Sequence, residues 1–432
     1  MAVSLRSCTQ PIMIRATLAW EWWQSGVTYY PLSPRVYRDP YPTYAKLRRQ
    51  DPVHWNFLSQ SWIISRYRDI DAILHDQTRF SSDSRYRQGM PQTQAAPPNP
   101  GGPSMLFVDP PDHTRLRSLV QQTFTPRALE ALTPRMRQIA RHLLDQVTDP
   151  TAFEVMEVLA RPLPMIVMAE LLGVPTQDLA RFQTWSRWRA RVIEPMLTAR
   201  EQQLATQAAD ELDAYFLQLI EQRQREPRDD LISALVAAEA AGDRLSRDEL
   251  LVMLRLLLVA GNETTTNLIG NGLLALLRHP DQLQALRSDF RLIPGAVEEL
   301  LRYDAPVQVV ARTALQDVEL GGRAIRKGQG LVLLLGSANR DPEVFPEPDR
   351  LDINRHGASI LAFSRGIHHC LGAPLARLEA KIAFETLLER FTAMQLRTAD
   401  PPFRDNVVLR GLEALPISAS KALTQAPSLV SR

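Results

Sequence analysis

Cys370 is one of only 2 cysteines in a chain of 432 residues, and its neighbours give it chemistry. The segment Phe363-Ser364-Arg365-Gly366-Ile367-His368-His369-Cys370-Leu371-Gly372 runs into APLARLEAKIAFETLLERF, an amphipathic stretch with Pro374 in its first turn. The thiol therefore stands at a helix N-terminus, where free N–H groups and the helix dipole favour a thiolate. Gly366 and Gly372 permit a tight turn that brings backbone amides toward the sulfur. A zinc site needs more Cys or His at ligand spacing than His368-His369-Cys370 offers. A cysteine protease needs a His from elsewhere in the chain, which spacing alone leaves open. A lone Cys is also compatible with an inert buried hydrophobe.

A second cluster lies in the most apolar part of the chain. Ala260-Gly261-Asn262-Glu263-Thr264-Thr265-Thr266-Asn267 interrupts a long helical pattern with polar, weakly helix-forming residues. Burying them costs free energy that packing does not explain. The stretch predicts either an irregular turn touching solvent or a helix bulged to hold water or dioxygen. In the second case Thr264 is a hydrogen-bond donor and Glu263 a proton relay turned toward solvent. Two further pairings share a helix face: Glu299 with Arg302, and His113 with Arg117.

Together these stretches resemble the cytochrome P450 family. F-x-x-G-x-H-x-C-x-G at Phe363–Gly372 is similar to its haem-binding loop, with Ser364 where the family often has Gly. Ala260-Gly261-Asn262-Glu263-Thr264 is similar to its A-G-x-[DE]-T oxygen-activation motif, and Glu299-Leu300-Leu301-Arg302 to its E-x-x-R motif. The resemblance spans about residues 29 to 415, with the motifs in the family's order. It implies that Cys370 ligates the iron of haem b, with Phe363, Gly366, Gly372, Ala260 and Gly261 against the cofactor. It implies that His113, Arg117, Arg312 and His368 contact the two propionates. It makes Glu299 and Arg302 a buried structural pair, with Arg350 as third partner, and Glu263 and Thr264 the catalytic acid and alcohol.

The implied activity is insertion of one oxygen atom of O2 into a hydrophobic small molecule. The chain carries no flavin, nicotinamide or iron–sulfur motif, so a ferredoxin and its reductase are the expected electron donors. Arg115, Arg365 and Arg377 are candidates for a basic docking face near the Cys loop. The alternatives are a peroxide-driven peroxygenase and a non-catalytic haem-binding protein. Expected pocket walls are the 85–107 loop with Met105, Leu106 and Phe107, the Trp185 to Ile193 region, Leu257, Val309 with Val310, and Val408 to Leu412. The Pro/Gln/Gly-rich loop 85–104 is expected to act as a lid.

Elements must hold these residues in place. The pattern is mainly α with small β-sheets; the resemblance implies a cytochrome P450 fold with a long central helix above the haem. That helix starts at a Ser246-x-x-Glu249 capping box and ends before His279-Pro280, about 48 Å long. Other expected helices cover 127–147, 153–172, 177–190, 199–225 and 371–391. A hairpin is expected from Val53–Phe57 and Ser61–Ser65, and strands near 307–311, 317–326 and 330–335.

Lys+Arg 50 against Asp+Glu 48 leaves a net charge of +2. This excludes a nucleic-acid-binding excess of charge and an acidic disordered chain. Two cysteines exclude a disulfide framework and point to a reducing cytoplasm. The most apolar run, Leu251 to Ala260, contains Arg255 and is too short to span a membrane. MAVSLRSCTQPIMIR, broken by Pro11 and Arg15, makes a poor signal peptide. Residues 1–28 read as a loosely ordered extension, 29–432 as a single haem domain, and the protein as a monomer.

Overall fold

The computed structural model describes residues 4–88, 104–195, 197–240 and 245–421. Most of the expected lid, residues 89–103, lies outside them. The central helix runs Arg247–Arg278 and begins at the expected capping box: the Ser246 side chain accepts from Glu249 N–H and the Glu249 side chain from Ser246 N–H. Residues on every side of it are buried, so it forms the axis about which the other helices pack. Helix Pro162–Leu172 and helix Leu179–Arg191 lie against it, as does helix Ala373–Arg390, which follows the Cys loop.

The hairpin forms as read, with Val53–Asn56 antiparallel to Ser61–Ile64. It is the edge of a five-stranded sheet that continues through Gly330–Leu334 and Val309–Ala314 to Phe80–Ser81. A second sheet joins Phe153–Glu154, Pro416–Lys421 and Phe391–Leu396. The helix expected over 153–172 is shorter than its pattern. Residues 153–154 pair as a strand, 156–160 form a π turn, and the α-helix begins only at Pro162. Proline without an N–H is tolerated in a first helical turn and not inside, which sets that boundary.

Ser4–Ser25 is helical, and its C-terminal end is fixed by Glu21, which is fully buried. One carboxylate oxygen accepts from Asn56 Nδ2 and Phe57 N–H, the other from Tyr29 N–H, and Trp20 stacks edge-on to Phe57 at 4.2 Å. A buried carboxylate with three donors is a strong local tie. Nothing in the apolar pattern of residues 16–24 signals it.

Candidate active site

The Cys loop is built by two left-handed residues, Ser364 at φ 58° and Gly366 at φ 64°. A Cβ on Gly366 would stand 2.3 Å from the carbonyl oxygen of Leu74, so only glycine fits there. Ser364 carries the same backbone conformation with a side chain, at some strain. Cys370 N–H donates to Phe363 O at 2.9 Å, which closes the loop. The Phe363 ring lies under the Arg377 guanidinium at 4.5 Å.

Cys370 is accessible, yet so surrounded by protein that burial raises its thiol above the ordinary value. Both hold if the sulfur lines an internal hollow rather than the outer surface. The N–H groups of Gly372 and Ala373 and the cations Arg117 and Arg377 oppose the rise without overcoming it. The helix terminus alone therefore does not secure the thiolate, and a metal ion bound to the sulfur would. A Cβ on Gly372 would meet no atom within 4 Å, which leaves one side of the loop open.

The four cationic residues named from the sequence converge beside this loop. His113, on helix Asp112–Val120, has its ring 4.4 Å from that of His368. Arg117, one turn on, donates to His369 O at 2.8 Å. Arg312 is buried and feels His368 across the gap. Burial, then Arg312, His113 and Arg117, push His368 down to about 3, and burial brings Arg312 to about 10. His113 Nδ1 and His368 Nε2 are buried and have no partner among the described residues. Unpartnered buried nitrogens among crowded cations fit an anionic ligand, such as a carboxylate pair, lying between them.

In the middle of the central helix Leu256, Val259, Ala260, Gly261 and Thr264 are accessible, while their neighbours on the helix are buried. The expected bulge is not there: the helix is α throughout, and Thr264 Oγ1 donates to Ala260 O at 2.7 Å. The back-bond satisfies both groups within the helix. Gly261 also serves packing, since the Met168 methyl stands 2.1 Å from where its Cβ would be. Glu263 is not turned to open solvent. It is buried and accepts from Arg404 Nη1 at 2.7 Å. No motif or spacing marks Arg404, which lies in an irregular loop 141 residues away.

Glu299 and Arg302 pair as read, both buried, through Nε to Oε2 at 2.7 Å and Nη2 to Oε1 at 2.8 Å. The third partner is corrected. Arg350 contributes its carbonyl oxygen to Arg302, while its side chain points out to Glu347. Arg355 reaches Glu299 instead, at 3.2 Å. Four residues separate the two arginines, and the chain turns between them, so spacing could not decide.

Among the pocket residues, strand alternation separates two neighbours. Val310 shares a sheet face with Arg312, whereas Val309 packs on the opposite face with Tyr41, Leu47, Ile63 and Leu334. Val309 is therefore removed from the wall. Met105 is buried, Leu106 and Phe107 are exposed, and Leu257 is buried two turns before Thr264 on its face. Trp185 is removed too, locked between helices against Phe182 and Tyr215 with its Nε1 donating to Glu211. The basic candidates near the loop are all engaged: Arg115 with Glu249 and Asp112, Arg377 with Glu298, Arg365 with Asp71.

A family model described as cytochrome P450 matches residues 55–416. The chain belongs to the cytochrome P450 family. It is 42% identical to polyketide biosynthesis cytochrome P450 PksS of Bacillus subtilis over 91% of this chain and 99% of that protein. It is 41% identical to the vitamin D(3) 25-hydroxylase of Pseudonocardia autotrophica over 89% of this chain and 95% of that one. The solved structure of PksS superposes with a TM-score of 0.84, covering 91% of this chain and 100% of that one. The protein is thus a haem-thiolate monooxygenase, which inserts one oxygen atom of O2 into a small molecule and draws electrons from redox partners. No helix among the described residues is long and apolar enough to cross a membrane.

Proposed function

We propose that this cytochrome P450 monooxygenase binds haem b through Cys370 and oxidises a hydrophobic small molecule, in a single domain from residue 29 that acts as a cytoplasmic monomer. The carrying observation is the pair of unpartnered nitrogens, His113 Nδ1 and His368 Nε2, set beside Arg312 and Arg117 at the Cys370 loop. That arrangement suits two propionates, and the open side of Gly372 suits close approach of a flat macrocycle. The bound haem would supply dioxygen activation, with the thiolate favouring O–O cleavage. His113, Arg117, Arg312 and His368 orient the propionates by charge and hydrogen bonds. Ala260, Gly261 and Thr264 form the wall facing the reacting oxygen. Thr264 Oγ1 gives up its bond to Ala260 O and donates into the site, and Glu263 supplies protons behind it.

Met105, Leu106, Phe107, Leu257 and Val310 line the substrate side. Their apolar character favours a hydrophobic substrate, as do the polyketide and vitamin D(3) in the names of the relatives. Electrons come from a ferredoxin and its reductase. The test is Cys370→Ser: the thiolate-specific spectrum of the ferrous carbon monoxide complex is expected to disappear. An unchanged spectrum removes Cys370 as ligand. Thr264→Ala is expected to keep haem while NAD(P)H consumption continues and hydrogen peroxide replaces product. Full coupling in that variant refutes the role of the hydroxyl.

A further inference from the structure

We infer that Arg404 is a positioning residue for Glu263, and that the loop carrying it links proton delivery to the seating of the segment between helices Leu179–Arg191 and Ala199–Arg225. The inference rests on the reading of Glu263 as proton relay. Arg404 Nη1 donates to Glu263 Oε2 at 2.7 Å, and Nη2 donates to Asn267 Oδ1. Glu263 and Asn267 are one helical turn apart on one face, so a single guanidinium spans the turn that carries Thr264. Both side chains of the ion pair are largely buried. A Cβ on Gly411 would stand 1.9 Å from Asn267 Oδ1, so the loop backbone itself presses on this contact.

Loop 403–412 is held at three points. Arg404 N–H donates to Gly411 O at 3.0 Å, which folds the loop on itself. Arg410 donates to Asp304 Oδ1 at 2.7 Å and to Tyr37 O at 2.8 Å, and stacks on Phe403 at 3.9 Å. From the other side comes Glu194, in the connection after helix Leu179–Arg191. Its buried carboxylate accepts from Val407 N–H at 2.6 Å, Val408 N–H at 3.0 Å and Leu409 N–H at 3.0 Å. Arg191 adds Asn406 at 2.6 Å and Asp405 at 3.3 Å. Displacing that connection would strip three N–H groups of their acceptor and release the loop. Because the same loop carries Arg404, Glu263 would then lose its partner.

The pair is also incompletely satisfied. Arg404 Nε and Asn267 Nδ2 are buried with no partner among the described residues. Such a contact can rearrange as the carboxylate exchanges protons, which a saturated pair resists.

The test uses the haem-loaded full chain, dioxygen and reduced ferredoxin as electron donor, and no substrate is needed. One further equivalent of reduced ferredoxin is mixed with the dioxygen-exposed reduced protein, so that oxygen reduction to hydrogen peroxide takes up two protons, and the return of the ferric spectrum is timed in H2O and D2O. Glu263→Gln is expected to slow it, and Arg404→Gln to slow it about tenfold with a larger solvent isotope effect. Arg404→Lys is expected to recover most of the rate, and the double variant to be no slower than Glu263→Gln. Glu194→Gln is expected to slow it by roughly fivefold and to raise amide hydrogen exchange across 403–412. An unaltered rate in Arg404→Gln, with Glu263→Gln slow, overturns the inference and leaves the relay standing. An unaltered rate in Glu263→Gln overturns the relay itself and the inference with it. Loss of haem loading in Arg404→Gln but not in Glu263→Gln makes Arg404 a structural tie, and also overturns the inference. Normal exchange in Glu194→Gln removes the link to the connection between the two helices.

Discussion

Two buried glutamate–arginine pairs flank the site and behave differently. In the first, Arg302 gives two bonds to Glu299 and the rest to Asn339 O, Pro348 O and Arg350 O, with Phe345 under its guanidinium. Glu299 also accepts from Asp352 N–H at 2.9 Å and from Arg355. In the second, Glu263 has Arg404 alone among the ion pairs of the described residues, and Arg404 keeps an unpartnered Nε. Identical side-chain chemistry thus serves two ends. Saturation by backbone groups turns a pair into a structural rivet, and an unsaturated pair beside the reacting residues keeps freedom to change. The rivet stitches 339–355 to helix Ile293–Tyr303. Asn339 Oδ1 carries the tie on to Leu361 N–H at 2.7 Å, just ahead of the Cys loop.

The largest effect should come from breaking the rivet. Arg302→Ala leaves Glu299 buried with Arg355 as its only cation, at a cost of about 3–5 kcal/mol. The expected outcome is loss of haem incorporation and of most folded protein, read by haem-to-protein absorbance and thermal unfolding. A haem-loaded Arg302→Ala protein with an unchanged melting temperature would dissolve the distinction between the pairs.

A third buried carboxylate sharpens the comparison because it has no arginine. Glu379, on helix Ala373–Arg390, is fully buried; burial pushes it up to about 8 and a hydrogen bond from Thr265 only partly opposes this. The folded protein therefore keeps a proton that the unfolded chain releases near 4.5. The unfolded state binds fewer protons across this window, so stability falls as pH rises from about 4.5 to about 8. The contribution is complete below the window and lost above it. Glu379→Gln should flatten the fall in melting temperature over that range relative to the wild type. Parallel curves for the two proteins would show that Glu379 is ionised in the fold.

How much of this was legible depended on the range of the interaction. The Cys loop, the central helix with its Ser246–Glu249 box, and the i,i+3 pair Glu299–Arg302 are local patterns, and each stands where it was read. His113, Arg117, Arg312 and His368 were named only because motifs fixed their identities; their convergence is a product of three separate elements. Arg404, Glu194 and Asn267 act across the fold from loops and helix faces without a period, so no spacing marked them. Glu379 leaves a trace in the sequence, a carboxylate between Leu375 and Ile382 on an apolar face. Val309 and Val310 were merged because adjacent valines look alike until a strand sends them to opposite faces.

The smallest effects separate the two arginines that compete for the third place at Glu299. Both lie in the turn that the rivet holds, and both touch the network, but through different atoms. Arg355 gives Nε to the carboxylate and its terminal nitrogens to Pro346 O, Glu347 O and Arg350 O, with a side chain 14% exposed. Arg350 offers only its carbonyl, which any residue retains, and its side chain, 61% exposed, pairs with a Glu347 that is 74% exposed. Removing a charged donor from a buried carboxylate costs about 1.5–3 kcal/mol, whereas removing half of a solvated ion pair costs about 0.5 kcal/mol or less. Arg355→Gln should therefore lower the melting temperature of the haem-loaded protein measurably, and Arg350→Gln should leave it nearly unchanged. The reverse order would mean that the Arg350 side chain swings inward in solution and that the rivet has a different third member.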